Sequence, residues 1–153
     1  MTIFQTARWF VDQNGGAISS IKLQKLCYYT QAWSYALRDI PFFEGDFEAW
    51  VHGPVNRPLW SYFRDIAYRD ITPEDFPAGS EPNPTEEEAD HLELIWNTYG
   101  DWSGYQLEMQ SHMERPWLEK REGLSTYEAS NRVINPESMK IYYRGLCAQD
   151  GII

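Results

Sequence analysis

Between Ser20 and Leu37 the chain reads SIKLQKLCYYTQAWSYAL, a stretch with apolar residues on nearly every side. Leu23, Leu26, Thr30, Trp33 and Leu37 recur at helical spacing, and Tyr28, Ala32 and Tyr35 widen the stripe. A helix that is apolar all round has no face to give to water, so it must lie centrally and touch several neighbours. Ser19 or Ser20 starts it, and Asp39 to Pro41 ends it. The rest of the chain has to fold around this element.

The flanking segments supply further helices. Thr2 and Gln5 have capping-box spacing before Ile3, Ala7, Phe10 and Val11, and Asn14-Gly15-Gly16 stops that helix. Phe47, Ala49 and Val51 alternate with Glu48, Trp50 and His52, which predicts a short strand; an isolated strand is not stable, so residues 40–44 are its expected partner. After the Gly53-Pro54 turn, Val55, Leu59, Tyr62, Phe63 and Ile66 predict a helix capped by Asn56, with Pro58 in its first turn. A proline-rich loop covers about 69–84. Thr85 and Glu88 cap the next helix, whose apolar face is Ala89, Leu92, Ile95, Trp96 and Tyr99. Ser103 with Gln106 opens another to about Met113, Pro116 and Trp117 start a short turn, and residues 123–133 read as irregular. Asn135-Pro136 begins the last helix, about 136–149, with Met139, Tyr142, Tyr143, Leu146 and Cys147 inward. The expected fold is mainly α: one domain over residues 1–153, about six helices and a minor pair of short strands.

Composition excludes several classes. The 153 residues include seven Trp, ten Tyr and seven Phe, enough for a packed core. The net charge of −10 is local, because residues 70–99 hold nine Asp or Glu and no Lys or Arg. Phosphate-backbone binding needs a basic stripe, so no direct nucleic-acid contact is expected. No apolar run suits a membrane span, and the N-terminus lacks a basic leader and a small-residue cleavage site. Cys27 and Cys147 sit among apolar residues, as buried reduced thiols would, which together point to the cytoplasm.

No residue set announces a reaction. His52, His91 and His112 lack metal-ligand spacing, there is no HExxH or CxxC, and no glycine-rich phosphate loop. Cys27 lies in the most apolar helix, where burial suppresses thiolate chemistry. His52 at a tight turn and His112 beside Tyr105 and Met109 read first as imidazoles satisfying a buried carbonyl or carboxylate, and second as parts of a binding surface. The acidic block at 81–93 reads as a solvated helix start, or as a patch that attracts a basic partner. Neither catalytic residues, nor a metal, nor a cofactor is expected.

Three segments resemble one family. Lys22-Leu23-Gln24-Lys25-Leu26, with Tyr28-Tyr29 and Gln31-Ala32-Trp33, is similar to the opening helix of the Panacea domain, also called SocA-like or GepA-like. Phe47-Glu48-Ala49-Trp50 with His52-Gly53-Pro54-Val55 is similar to its middle motif, with His52 where the family has Lys or a similar residue. Ser111-His112-Met113-Glu114-Arg115-Pro116-Trp117 resembles its Thr/Ser-His-x-x-x-Pro-Trp segment. The resemblance implies an antitoxin that neutralises a cognate protein toxin by direct contact. The alternatives are an adaptor handing a client to a protease or chaperone, and a small hydrolase using His112 with Cys27 or a carboxylate. Under the antitoxin reading the partner-binding candidates are the edge of Lys22 and Lys25, the turn of His52, Gly53 and Pro54, Arg57, and the exposed part of residues 70–93. Leu23, Gln24, Tyr28, Trp33, Trp50, His112, Pro116 and Trp117 are expected to be structural. The oligomeric state stays open.

Overall fold

Seven α-helices and one two-stranded sheet make up the described part of the chain, residues 1–66 and 68–150 of a computed structural model. The expected domain boundary at 153 therefore extends past the described residues. Helix α1 spans Ile3–Gln13, and Thr2 and Gln5 form its capping box. Helix α2, Ser20–Arg38, is the centre of the molecule. It packs on α1, α3 (Arg57–Phe63), α4 (Glu86–Tyr99), α5 (Gly104–Ser111) and α7 (Pro136–Asp150). Leu26, Cys27, Tyr29 and Ala32 are fully buried along it, whereas Leu37, near its end, is partly exposed. A seventh, short helix, α6, occupies Arg115–Lys120, where the sequence suggested only a turn.

Most helix ends follow local chemistry. Ser19 accepts from the Lys22 amide, Asn56 from Leu59, Thr85 from Glu88 and Ser103 from Gln106. Each bond satisfies a first-turn donor that has no partner inside its helix. Helix α3 is shorter than its apolar pattern implies: Val55 belongs to a strand, the turn at 64–66 is 3₁₀, and Tyr62 is exposed. The proline-rich loop holds a 3₁₀ turn at Pro73–Asp75 and is tied to the start of α2 by an Ile18–Ile71 bridge.

The strand prediction needs one correction. β1 (Glu48–Trp50) pairs antiparallel with β2 (Gly53–Val55), the segment directly after it, and not with residues 40–44. Gly53 has φ +101°, a backbone conformation that lets the chain reverse within two residues and that a side chain would strain. The other edge of β1 is covered by the segment before α7: Ala49 donates to Arg132 O, and Ile134 donates to Phe47 O. Residues 40–44 are held instead by Gln31, whose Oε1 accepts from the Phe42 and Phe43 amides and whose Nε2 donates to Phe43 O. A side-chain amide on α2 thus takes the place of a strand partner.

Candidate functional site

The three motifs converge where α2 meets the β1–β2 hairpin and α5–α6. Gln24 on α2 grips Asn56 as a strand would: its Oε1 accepts from the Asn56 amide at 2.9 Å and its Nε2 donates to Asn56 O at 3.1 Å. The next residue, Lys25, passes beneath the hairpin and donates to Pro54 O at 3.2 Å. It is 1 % exposed, which corrects the expectation that Lys22 and Lys25 form an accessible edge. Burial lowers its pKa to about 8, against the opposing pull of Glu108. The stem fits because Gly53 has no side chain; a Cβ there would lie 2.6 Å from Lys25 Cε and 2.9 Å from Ser111 Oγ.

Lys22 is also committed to the fold. Its Nζ donates to Gly100 O at 2.6 Å and to Asn14 Oδ1 at 3.3 Å, and lies 5.4 Å over Trp96. A cation on the C-cap carbonyl of α4 complements the negative end of that helix.

The third motif closes the site from below. Trp117 donates from Nε1 to Trp50 O at 2.8 Å, and its ring stacks on His112 with centroids 4.1 Å apart. His112 is hydrogen-bonded to the Val51 backbone as well as stacked on Trp117, while its Nε2 is buried without a hydrogen-bond partner. Burial first, then Lys25 and His52 nearby, lowers its pKa against the pull of Glu108 and the Val51 backbone. Tyr105 and Met109, expected to share its face, point outward and are exposed. His52 is exposed at the hairpin tip, with Nδ1 3.3 Å from Glu108 Oε2.

Glu114, inside the same motif, anchors a polar cluster that the sequence did not disclose. It is 2 % exposed. The hydroxyls of Tyr29 and Tyr143 each donate to its Oε1 at 2.8 Å, and Gln110 Nε2 donates to its Oε2 at 3.2 Å. Burial raises its pKa, partly offset by these bonds. Tyr29 also stacks on Tyr99 at 4.2 Å, and Trp33 donates to the Tyr99 hydroxyl at 2.9 Å. Arg121 is another residue without a sequence signal: it donates to Ala49 O at 3.0 Å and Glu128 O at 2.7 Å, stapling β1 to the irregular segment. His91 Nε2 likewise donates to Thr30 O at 2.9 Å.

What this knot presents outward is aromatic rings beside ion-paired side chains. Arg57 pairs with Glu48 through two bonds, 2.8 and 3.1 Å, and lies 5.2 Å over Trp50, which packs edge-to-face on Trp60. Two clefts flank the hairpin. One, of about 500 Å³, runs between Trp50, His52, Arg57 and residues 129–131; the other, of about 400 Å³, runs from Trp50 to the first turns of α2 and α5. Of the partner-binding candidates, His52 and Arg57 are exposed, Lys22 is half-buried, and Lys25, Gly53 and Pro54 are buried.

Cys27 and Cys147 are buried, and burial pushes the Cys27 thiol far above its ordinary value. Among the described residues no group of three or more His, Cys, Asp or Glu could hold a metal ion, and no helix is long and apolar enough to cross a membrane.

The scaffold is mainly α, and its motif residues are spent on internal hydrogen bonds and packing. The family described as antitoxin SocA-like, Panacea domain, matches residues 23–118, and the chain belongs to it. That span runs from Leu23 through Leu118 and contains nearly all of the knot described above. No curated protein and no solved structure matches the chain.

Proposed function

We propose that this protein is an antitoxin that neutralises a cognate protein toxin by direct contact, acting in the cytoplasm as one domain over residues 1–153 and transforming no substrate. The observation that carries this reading is membership of the SocA-like antitoxin family over residues 23–118. The hairpin face supports it physically. Trp50, His52, Arg57 and Tyr105 surround two open clefts, and aromatic and Arg side chains are the usual anchors of protein interfaces. The loop and helix start at 70–93 add a local acidic surface that speeds encounter with a basic partner.

The test is co-expression with the product of the adjacent reading frame. Growth should be arrested by that product alone and restored by this chain, and the two should co-purify. Toxicity that survives co-expression would refute the reading. Toxin half-life then separates two modes of action: sequestration leaves it unchanged or longer, and delivery to a protease or chaperone shortens it.

A further inference from the structure

One face of α5 carries an apolar row that nothing covers among the described residues. Trp102, Tyr105, Met109 and Met113 line a cleft of about 450 Å³ together with Asp101, Gln106 and Gln110. Tyr105 is 70 % exposed, Met113 66 % and Met109 43 %, so the row faces solvent, while Leu107 and Ser111 are the residues that α5 buries. Of the four methionines in the chain, Met1 packs on the core and Met139 is buried; the other two stand here.

The base of the cleft is fixed from within. Trp102 packs edge-to-face on Tyr99 at 5.7 Å, and Tyr99 stacks on Tyr29 of α2. Gln110 is held by its bond to Glu114 Oε2. The row above is adaptable instead, because a Met side chain has three rotatable bonds and a polarizable sulfur. Tyr105 and Met109 are one helical turn apart, about 6 Å along the axis, and Met113 continues the row from the turn after the helix. Side chains four apart form the ridges and grooves into which another helix packs, and a Met-rich apolar groove is a recurrent seat for an amphipathic helix.

Charge selects the occupant. From Asp70 to Glu114 the chain holds twelve Asp or Glu and no Lys or Arg. Glu86, Asp90 and Glu93 are exposed on α4, and Asp101, just past its end, stands exposed at the cleft. Of the remaining carboxylates on this side, Glu108 is drawn to His52 and Glu114 is buried against Gln110. The cations bordering this stretch are committed: Lys22, on which Asp101 acts, donates to Gly100 O and Asn14 Oδ1, and Arg115 lies 3.8 Å from Glu119. A second copy of the chain would set the same carboxylates against one another, and an anionic lipid surface would be repelled.

We infer that this face of α5 docks a basic amphipathic helix of the protein partner. Its apolar residues seat against Trp102, Tyr105, Met109 and Met113, and its Lys or Arg residues flank them towards Asp101 and the exposed carboxylates of α4. The inference rests on the reading that the chain works by binding a protein, and adds which face binds and what chemistry it recognises.

The test labels the methionine methyls of the purified chain with carbon-13 and titrates it with two fourteen-residue helical peptides, acetyl-LKKLLKLLKKLLKL-amide and its analogue with Glu in place of every Lys. The Lys peptide should shift the Met109 and Met113 methyl signals saturably and leave Met139 in place. The Glu peptide should bind about tenfold more weakly or worse at low salt, because its charge has the sign of the surface. Tyr105→Ser alters an exposed position and keeps both reporter methyls; it should weaken the Lys peptide about tenfold, as loss of an aromatic anchor does. Met113→Ser, reported by Met109, keeps the test open if Tyr105→Ser does not fold. Equal binding of the two peptides, binding that leaves both reporter methyls unmoved, or unchanged affinity in these variants would each overturn the inference. Reporter shifts on concentrating the chain alone would overturn it in favour of self-association. In cells, the double variant Tyr105→Ser with Met113→Ser should lose neutralisation. If the Lys peptide binds the cleft but the double variant still neutralises, the cleft is not the toxin contact, and this inference fails while the antitoxin reading stands. If the wild-type chain does not neutralise, the antitoxin reading fails, and the methyl titration alone decides the docking face.

Discussion

Glu114 and Lys25 are both buried charges on motif residues, and they are treated in opposite ways. Glu114 is enclosed between α2, α5 and α7, with both oxygens taken by Tyr29, Tyr143 and Gln110. Lys25 lies under a two-stranded hairpin beside a cleft, with one backbone acceptor and a partnerless His112 Nε2 in the same region. A fully satisfied polar cluster specifies packing, and removing one member orphans the rest. The molecule thus pairs a polar cluster whose members satisfy one another with a buried ammonium held by one backbone acceptor.

The sharpest way to break this comparison is Glu114→Ala, which leaves two tyrosine hydroxyls and an amide unpaired in the core. It should cost about 3–5 kcal/mol, read from the urea midpoint. Glu114→Gln keeps the shape and should lose about half as much. The sign of the pH effect follows from burial. The folded-state pKa lies above the ordinary 4.5, so between the two the folded state holds more protons, and this group's contribution falls as pH rises through that window. Glu114→Gln should remove that component of the stability–pH curve. A Glu114→Ala variant as stable as wild type would show that the cluster does not hold the fold.

Gly53→Ala comes next. A Cβ in contact with Lys25 Cε, at φ +101°, should cost about 2 kcal/mol by the same unfolding measurement. Lys25→Met should cost less than about 1 kcal/mol, because losing the Pro54 bond is offset by removing a poorly compensated buried charge. Its pH signature is opposite in sign to that of Glu114. The Lys25 pKa is lowered from 10.5 to about 8, so between these values the unfolded state binds more protons and stability rises with pH. Lys25→Met should flatten that rise between pH 8 and 10; above 10 the raised tyrosine pKa values of Tyr28, Tyr29 and Tyr143 pull the other way. The smallest effect on stability is expected from His52→Ala, within about 0.5 kcal/mol, since the His52 ring is exposed. On the proposed function the same variant should weaken toxin binding, read as a faster off-rate in a binding assay.

Much of the fold was legible because its signals are short in range. Thr2 with Gln5, Asn56 with Leu59 and Thr85 with Glu88 are bonds between residues three apart, so the pattern in the chain is the interaction itself. The centrality of α2 was legible for a related reason: no other placement hides apolar residues on all its sides. The strand's partner was not, because Gln31 satisfies residues 42–43 by side-chain bonds that no backbone pattern encodes. Nor was the Lys25 site, since a lysine in a helix repeat reads as a solvated cation until a glycine 28 positions on makes room for it beneath the hairpin.

The chain by itself determined six of the seven described helices, their N-caps, the central position of Ser20–Arg38 and the motifs of the SocA-like antitoxin family. Only the tertiary structure decided which charges are buried, which are satisfied and which border a cleft. Tyr29 reaches Glu114 across 85 positions, and Trp117 reaches Trp50 across 67. Such bonds depend on where packing brings distant segments, and the energy of a buried charge depends on every group that surrounds it.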